Sequence, residues 1–260
     1  MPACPRLRAL VLVAVAALAT ASCAGGARHG ADPAPAKGAA LIDPGDGGNY
    51  HPKLDPAGFV AVIDNPYLPL EPGSSWVYEG TVDNQRQRIE VVVRPERKKI
   101  MGIQATVVRD TVFGADGKPT EVTTDWFAQD ASGNVWYLGE DSKDVENGKV
   151  TSTKGSWLAG VHGARPGITM LAAPIQGKAY RQEFFPGEAE DMAKVVSLGA
   201  SARVAAGSYD KLVATREWTP LEPKNVEDKF YAPGVGNVLV ELTSGEHGRM
   251  ELTRFTPGRG

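Results

Sequence analysis

The stretch DWFAQDASGNVWYLGED, residues 125–141, decides how the sequence is interpreted. It crowds acids and tryptophans together, as a metal or catalytic site would, yet its middle, DASGN at residues 130–134, is typical of a tight turn that uses its glycine. Trp126 and Trp136 lie on the two arms that this turn joins, where alternation can bury both against a sheet. We therefore predict a β-hairpin, and Asp125 is the acid that turn chemistry leaves unexplained.

The surrounding sequence repeats this pattern of short β-like segments and turns. SSWVYEGTV (residues 74–82) and RIEVVVR (residues 88–94) each place apolar side chains on one face and flank the Asp83-Asn84 turn. The other dipeptides typical of tight turns are Asp116-Gly117 and Asn147-Gly148. Because short connections join consecutive segments, the sequence predicts an all-β fold in which one antiparallel, meandering sheet curves into a barrel or half-barrel.

Two segments are less regular. Residues 155–174, GSWLAGVHGARPGITMLAAP, are rich in glycine and proline and are interpreted as a long excursion over the sheet. Residues 187–198, GEAEDMAKVVSL, allow one short helix, since Met192, Val195 and Val196 fall near one helical face, or a strand beginning at Ala193. Both alternatives stay open at this point.

The N-terminus has the order of an export signal, with basic residues, an apolar run too short to span a bilayer, and small residues. The sequence TASC that ends it resembles a lipobox, so we predict a signal peptide at residues 1–22 and lipid attachment at Cys23. Thr20 departs from the usual leucine, and ordinary signal cleavage with secretion is the alternative. We predict that residues 23–58 form a disordered tether, because they lack apolar periodicity. Residues 59–260 are predicted to form the β domain.

Charge and cysteine content exclude several classes of protein. Loss of the signal peptide lowers the basic total from 28 to 26 against 31 acidic residues, a net charge of −5, so nucleic acid is not an expected partner. The sequence has two cysteines, Cys4 and Cys23, and the first leaves with the signal. We therefore expect no intramolecular disulfide, thiolate zinc site or cysteine nucleophile in the mature chain.

Three motifs resemble one broad set of proteins. NPYLPLEPGSSWVYEG (residues 65–80) is followed by GSYDKLVATREW (residues 207–218) and KFYAPGVGNVLVEL (residues 229–242). A PLxxGxxWxY entry and a YAPGVG segment before a strand are similar to those of uncharacterised secreted and lipid-anchored bacterial β-rich proteins. The resemblance implies a β fold in the cell envelope and supplies no catalytic residues.

Most enzyme chemistries find no support in the motifs. His162 and His247 lie in glycine-flanked loops, and no Gly-x-Ser-x-Gly elbow, phosphate loop or dinucleotide fingerprint occurs. Calcium needs only oxygen ligands, which QEFFPGEAED offers around its Pro-Gly turn. The candidate calcium ligands are Glu183, Glu188, Glu190 and Asp191. A solvated acidic turn is the alternative.

Polar residues inside apolar strand patterns are the remaining candidates for a site. If they point inward, they must pair with one another or bind a ligand, because an unpaired buried charge is costly. If they point outward, they belong to the solvent-exposed face of the sheet. The candidates for ligand binding or an internal polar network are Arg109, Asp125, Trp126, Arg181, Glu183 and Glu217.

The sequence therefore predicts an exported cell-envelope protein that is anchored to the membrane by its N-terminal lipid. Its expected role is non-enzymatic, either binding a small apolar or amphipathic ligand inside the curved sheet or supporting the envelope. The alternatives are an extracellular hydrolase that acts on glycans through carboxylates and a protein-interaction domain. No catalytic residue is assigned, and calcium is the one cofactor considered.

Overall fold

The computed structural model describes residues 49–258 and confirms the all-β prediction. Cys23, the predicted signal peptide, most of the predicted tether and the last two residues lie outside the described part of the chain. The described part has one 3₁₀ turn, Pro56–Gly58. Its strands, in chain order β1 to β16, are Phe59–Val60, Ser75–Val82, Gln85–Ile100, Ile103–Phe113, Pro119–Asp130, Val135–Glu146, Lys149–Ser152, Trp157–Leu158, Arg165–Met170, Ala179–Arg181, Glu183–Phe184, Met192–Val204, Gly207–Trp218, Val226–Ala232, Gly236–Ser244 and Gly248–Thr256.

All the strands belong to one antiparallel sheet that is nearly closed into a barrel. From β12 to β16 each strand pairs with the next, and β16 then pairs with β2, from which the meander continues to β6. Strand β9 pairs with the far side of β6. The short strand β1 pairs with β5, and the short strands β7 and β8 pair with β6. The β16–β2 pair therefore joins the C-terminal run of strands, β12 to β16, to the N-terminal run, β2 to β6, in one continuous sheet.

The two ends of the sheet meet at a seam built by one short piece of chain. Strand β10 pairs with β12, and β11 pairs with β9, so consecutive residues join opposite ends of the sheet. Gln182 separates the two strands, and its backbone N–H donates to the Asp191 carbonyl over 2.8 Å. Gly167 on β9 permits this approach, because a Cβ there would lie 2.2 Å from the Gln182 carbonyl carbon. We call residues 179–184 the seam segment.

The hairpin turns follow the predicted turn chemistry. Asp83 and Asn84 both have positive φ, 46° and 63°, as the tight turn between β2 and β3 requires. In the β5–β6 hairpin, Asp130 Oδ1 accepts hydrogen bonds from the backbone N–H groups of Ser132 and Asn134, and Gly133 has φ 94°. The acids and glycine of this turn therefore build a hairpin, as the sequence predicted.

The structure decides the two less regular segments. Residues 192–204 form β12, so the strand alternative is confirmed for the segment that also allowed a helix. Residues 155–174 are not one long excursion, because they contain β8 and β9, which both pair with β6. The glycines and prolines lie around and inside these short strands, where they obscured the β pattern in the sequence.

Alternation gives the sheet an inner face that is partly apolar and partly polar. Val91, Asp110, Thr123 and Ser142 are successive register partners across β3, β4, β5 and β6, so one row of the inner face changes from apolar to polar. No helix in residues 49–258 has the length and apolar character to cross a membrane.

Candidate functional site

Three carboxyl groups of β4 and β5 lie on the inner face. Asp110, Glu121 and Asp125 are all buried. Asp125 is the register partner of Val108, and Glu121 is the partner of Val112, so the acids occupy the same face as two fully buried valines. Since side chains two residues apart on a strand point the same way, this face carries several acids together.

Asp125, the acid left unexplained by the turn, is fully buried, with 0% of its surface exposed. Its Oδ1 accepts a hydrogen bond of 2.8 Å from the Tyr137 hydroxyl, while Oδ2 has no hydrogen-bond partner among residues 49–258. Burial raises the pKa of Asp125 to about 8, Tyr137 opposes the rise, and repulsion from Glu121 adds to it. This carboxyl group is therefore largely protonated at neutral pH.

Strand β6 and the seam segment add two further acids. Glu140 is the register partner of Asp125, and burial, then repulsion from Glu183, raises its pKa well above the usual range. Glu183 is 0% exposed, and neither of its carboxyl oxygens accepts a hydrogen bond of normal geometry from residues 49–258. Burial raises its pKa, Asp191 adds to the rise, and the nearby Trp157 side chain and Asp191 backbone N–H oppose it. Each of these groups thus disfavours ionisation of its neighbours.

Asp110 faces the same interior space as Lys229, which comes from a distant strand of the sheet. Both of its carboxyl oxygens lack a hydrogen-bond partner within the described residues. Its pKa is raised by burial and by Asp125 and Glu121, and Lys229 opposes the rise. Lys229 lies on β14, five strand-to-strand steps from β4 along the sheet. Their charges interact because the barrel brings the two strands opposite one another.

Lys229 is the centre of a buried ion cluster. Its Nζ lies 2.8 Å from Glu217 Oε2 and 2.9 Å from Glu227 Oε1. Thr215 and Tyr231 donate hydrogen bonds to Glu217 Oε1 over 2.7 and 3.1 Å. The two carboxylates raise the pKa of Lys229 against the effect of burial, whereas burial raises the pKa of Glu227 to about 7. The positive charge of Lys229 is thus balanced locally by its own acids.

Arg181 contacts aromatic rings at the seam. Its guanidinium carbon lies 4.5 Å from the centroid of the Phe184 ring and 5.8 Å from that of Tyr50. The Tyr50 hydroxyl donates to the Pro166 carbonyl over 2.9 Å, and Arg165 donates to the Tyr50 carbonyl. Tyr50 belongs to the predicted tether, so this end of the tether packs onto the strand pair that closes the sheet.

The predicted site residues separate into three groups. Asp125, Glu183, Glu217 and Arg181 are buried. Arg109 is exposed on the other face of β4. Trp126 is also buried, but alternation places it on the face opposite Asp125, where Lys98 Nζ lies 3.3 Å from its ring centroid. A basic side chain, and not the barrel interior, covers this tryptophan.

Several interior residues were missed by the sequence analysis. Asp110 follows the exposed Arg109 directly, and its spacing of two from Val108 and Val112 was the signal that it shares their face. Glu140 lies in the quoted hairpin and Lys229 within the KFYAPGVG motif, where neither stood out. Their importance comes from pairing across strands, which spacing within one strand does not reveal.

The calcium candidates do not all come together in the structure, because only Asp191 lies beside Glu183. Glu188 is exposed, Glu190 accepts a hydrogen bond of 2.8 Å from the Gly187 backbone N–H, and Glu183 lies in the interior. Within residues 49–258 no group of three or more histidine, cysteine or acidic residues has an arrangement that could hold a metal ion. The Pro-Gly turn is therefore stabilised by its own backbone and side-chain contacts.

The interior acids also differ from the usual arrangement in a glycoside hydrolase. Such an enzyme presents two carboxyl groups to a sugar and a water molecule from opposite sides of a cleft. Asp125 and Glu183, two of the strand acids singled out in the sequence, are both closed off from solvent. Their arrangement suits a group enclosed by the barrel better than a polymer bound in an open groove.

No protein-family model matches the sequence, and comparison with curated proteins gave no significant match. Among solved structures, the chain is similar to a protein of Bacteroides fragilis described as exported and as having a YmcC-like fold, with 15% identity, coverage of 74% of this chain and 100% of that one, and a TM-score of 0.44. A protein of Parabacteroides distasonis described as a lipoprotein shows 11% identity, coverage of 74% and 99%, and a TM-score of 0.42.

Proposed function

We propose that the chain is an exported protein of the cell envelope, anchored by lipid on Cys23, which binds a small amphipathic molecule inside its barrel without catalysing a reaction. The export signal and the lipobox-like TASC sequence support the location. The predicted tether would separate such an anchor from the described barrel.

The observation that carries the proposal is the set of enclosed carboxyl groups on the inner face, among which Asp110 has no hydrogen-bond partner for either oxygen within residues 49–258. A buried polar group without a hydrogen bond costs roughly 1–3 kcal/mol, and an apolar side chain of similar size would remove that cost. Both carboxyl oxygens of Asp110 and one each of Glu140 and Asp125 are in this condition. A barrel with a purely structural role gains nothing from them, whereas a ligand that contacts them would compensate the cost.

The amphipathic character of the ligand follows from the composition of the inner face. Val91, Val108 and Phe127 are fully buried on the same face as the acids. Phe127 stacks on Tyr137, whose hydroxyl reaches Asp125, with ring centroids 4.8 Å apart. A molecule inside the barrel would therefore meet apolar walls and polar groups side by side.

Native mass spectrometry of the mature protein isolated from its own envelope tests the proposal. We expect a mass above that of the lipidated polypeptide, and we expect the excess to disappear on denaturation. The variant Glu183→Leu should lose the bound mass while the exposed control Glu188→Leu keeps it. The same spectrum would identify bound calcium. A polypeptide that carries no additional small molecule in repeated preparations would contradict interior binding.

A further inference from the structure

We propose that one end of the barrel docks on the surface of a bilayer that contains anionic lipid. The docking surface, called the barrel tip below, consists of three turns: Pro56–Gly58, residues 101–102 between β3 and β4, and residues 160–163 between β8 and β9. This interaction is separate from interior binding, and it depends on the proposed function only for the location in the envelope.

The three turns of the barrel tip contact one another. A Cβ on Gly102 would lie 3.0 Å from Pro56 Cγ, so the proline ring covers the β3–β4 turn. A Cβ on Gly160 would lie 3.1 Å from Met101 Cγ, so the methionine side chain lies over the β8–β9 connection, directly before Val161. Pro56, Met101 and Val161 therefore belong to one surface.

The barrel tip exposes apolar side chains together. Met101 is 46% exposed and Val161 is 41% exposed, and Pro56 is exposed beside them. Val60 and Val62, which follow the 3₁₀ turn directly, are exposed as well. Four of the seven large apolar side chains that are exposed in residues 49–258 thus lie on the tip or next to it. Single exposed apolar residues are ordinary, whereas a cluster marks a contact surface.

The backbone of Met101 shows that its side chain is not there for the turn. Met101 and Gly102 have φ values of 49° and 84°, and such left-handed positions favour glycine, asparagine or aspartate. The other non-glycine residues with positive φ in residues 49–258 are all polar, namely Asp83, Asn84, Asn147, His162 and Lys211. A bulky apolar residue is unfavourable at this position, and solvent gives nothing back for it. Contact with an apolar phase would compensate the cost.

Basic residues lie where lipid headgroups would be. Lys98 and Lys99 precede the β3–β4 turn, so Lys99 lies about 7 Å along the strand from Met101. The headgroup layer on each side of a bilayer is about 5–7 Å thick, so the two lysines would lie within it when Met101 reaches the acyl chains. Asp55 and Asp130, acids of the neighbouring turns, accept hydrogen bonds from the backbones of their own turns. Anionic headgroups therefore complement the lysines.

The predicted tether keeps a bilayer within reach of the tip. Residues 24–48 separate Cys23 from the described chain, and a flexible chain of that length spans roughly 25–30 Å on average. Pro56 follows six residues after Tyr50, which contacts the seam. Lipid on Cys23 would hold the barrel close to the bilayer without setting its orientation, and docking of the tip would set that orientation.

Vesicle binding tests the proposal with the mature chain, residues 23–260, carrying Cys23→Ser, which has neither lipid nor cysteine. We expect the protein to sediment with vesicles of phosphatidylethanolamine and phosphatidylglycerol. Vesicles of phosphatidylcholine alone should bind it about 10-fold more weakly, because they lack the anionic headgroup. Added salt should weaken binding to the anionic vesicles.

Variants of the tip locate the contact. Val161→Ser and Met101→Ser should each weaken vesicle binding, and the two together should weaken it about 10-fold. The matched control is Val150→Ser, at a valine that is 54% exposed on β7, and it should bind as the parent does. Lys98→Gln with Lys99→Gln should weaken binding to anionic vesicles by about 5-fold for each charge removed. Circular dichroism should show that all these variants fold.

A fluorescent label reports the depth of the tip. Because the Cys23→Ser chain has no cysteine, Met101→Cys and Val150→Cys each provide a single site for an environment-sensitive dye. We expect the emission of the dye at position 101 to shift to shorter wavelength when anionic vesicles are added. The emission of the dye at position 150 should not change.

Three results would overturn docking of the tip on a bilayer. They are absence of binding to anionic vesicles, equal weakening by Val161→Ser and Val150→Ser, and equal shifts of the dye at the two positions. A dimer that Met101→Ser dissociates, in a chain that does not bind vesicles, would assign the tip to a second copy instead. Glu183→Leu should bind vesicles as the parent does, so failure of tip docking and failure of interior binding are separate results.

Discussion

The Tyr137 hydroxyl donates a hydrogen bond of 2.8 Å to Asp125 across the β5–β6 hairpin. Both residues are buried, and this bond satisfies one of the two carboxyl oxygens. Because Tyr137 also stacks on Phe127 and meets Trp157 edge to face, its ring fixes the orientation of the bond. The hairpin that the sequence predicted thus carries one arm of the interior site.

Tyr137→Phe should keep the ring packing and remove the hydrogen bond. Asp125 would lose its donor, so its pKa should rise further, and the free energy of unfolding should fall by about 1–2 kcal/mol. Urea denaturation measures the loss, and carbon-detected NMR measures the pKa of Asp125. Tyr67→Phe, at a partly buried tyrosine elsewhere, is the control and should change stability by less than about 0.5 kcal/mol. An unchanged pKa of Asp125 would show that the bond does not matter.

Stability should decrease as pH rises from 5 to 8. The folded pKa values of Asp125 and Glu227, about 8 and about 7, lie above their unfolded values of 3.8 and 4.5. The folded chain therefore binds more protons than the unfolded chain in this window, and each extra proton gives a slope of about 1.4 kcal/mol per pH unit. Urea denaturation across the window checks the slope, which Asp125→Asn should flatten. Stability that increases with pH would contradict the raised pKa values.

Lys229→Met should be strongly destabilising, because it leaves the buried Glu217 and the partly buried Glu227 without their cation. A loss of about 3–5 kcal/mol is expected. The matched control is Arg216→Met, which breaks the more exposed ion pair with Asp228 on the other face of the same strands and should cost less than about 1 kcal/mol. Adding Glu217→Gln to Lys229→Met should recover part of the loss. Equal losses in the two single variants would argue against a special role for the buried cluster.

Gly167→Ala should open the seam. The added methyl group would collide with the backbone of Gln182, so β11 must move away from β9. We expect a loss of about 1–3 kcal/mol in stability and faster hydrogen exchange in the seam segment than in β2 and β3. Gly199→Ala, where a Cβ meets nothing within 4 Å, is the control. Uniform acceleration of exchange over the whole sheet would mean that the seam does not open by itself.

The lipid anchor is tested by metabolic labelling. Cys23 lies outside the described residues, and its sequence context predicts acylation. Labelled palmitate should enter the protein expressed in a bacterium that processes lipoproteins and should not enter the Cys23→Ser variant. Equal labelling of the two forms would exclude Cys23 as the attachment site.

Much of the fold could be predicted from local sequence, because turns and alternation are local properties. Asp83-Asn84 and Asn147-Gly148 adopt the positive φ values that their residue types favour, and the strands beside them alternate as expected. The pairing of β16 with β2 could not be predicted, since it joins residues far apart in the chain. Strand β9 was hidden because Pro166 and Gly167 fall inside it.

The site was predictable only in part for the same reason. Asp125 and Glu183 stood out because each interrupts an apolar strand pattern, and both prove to be buried. Trp126 stood out equally, yet it faces away from the interior, because neighbours on a strand point to opposite sides. Lys229 gains its role from Glu217 on the adjacent strand, and such a cross-strand contact depends on register.

Tyr50 determines where mechanical force enters the molecule. Tension on the chain that precedes it would pass through its carbonyl to Arg165 and through its ring to Phe184. These two residues belong to the short strand pair that closes the sheet, and not to the long hairpins. If the barrel is held at a surface by its N-terminal segment, a pulling force would therefore separate β9 from β11 first and open the barrel there.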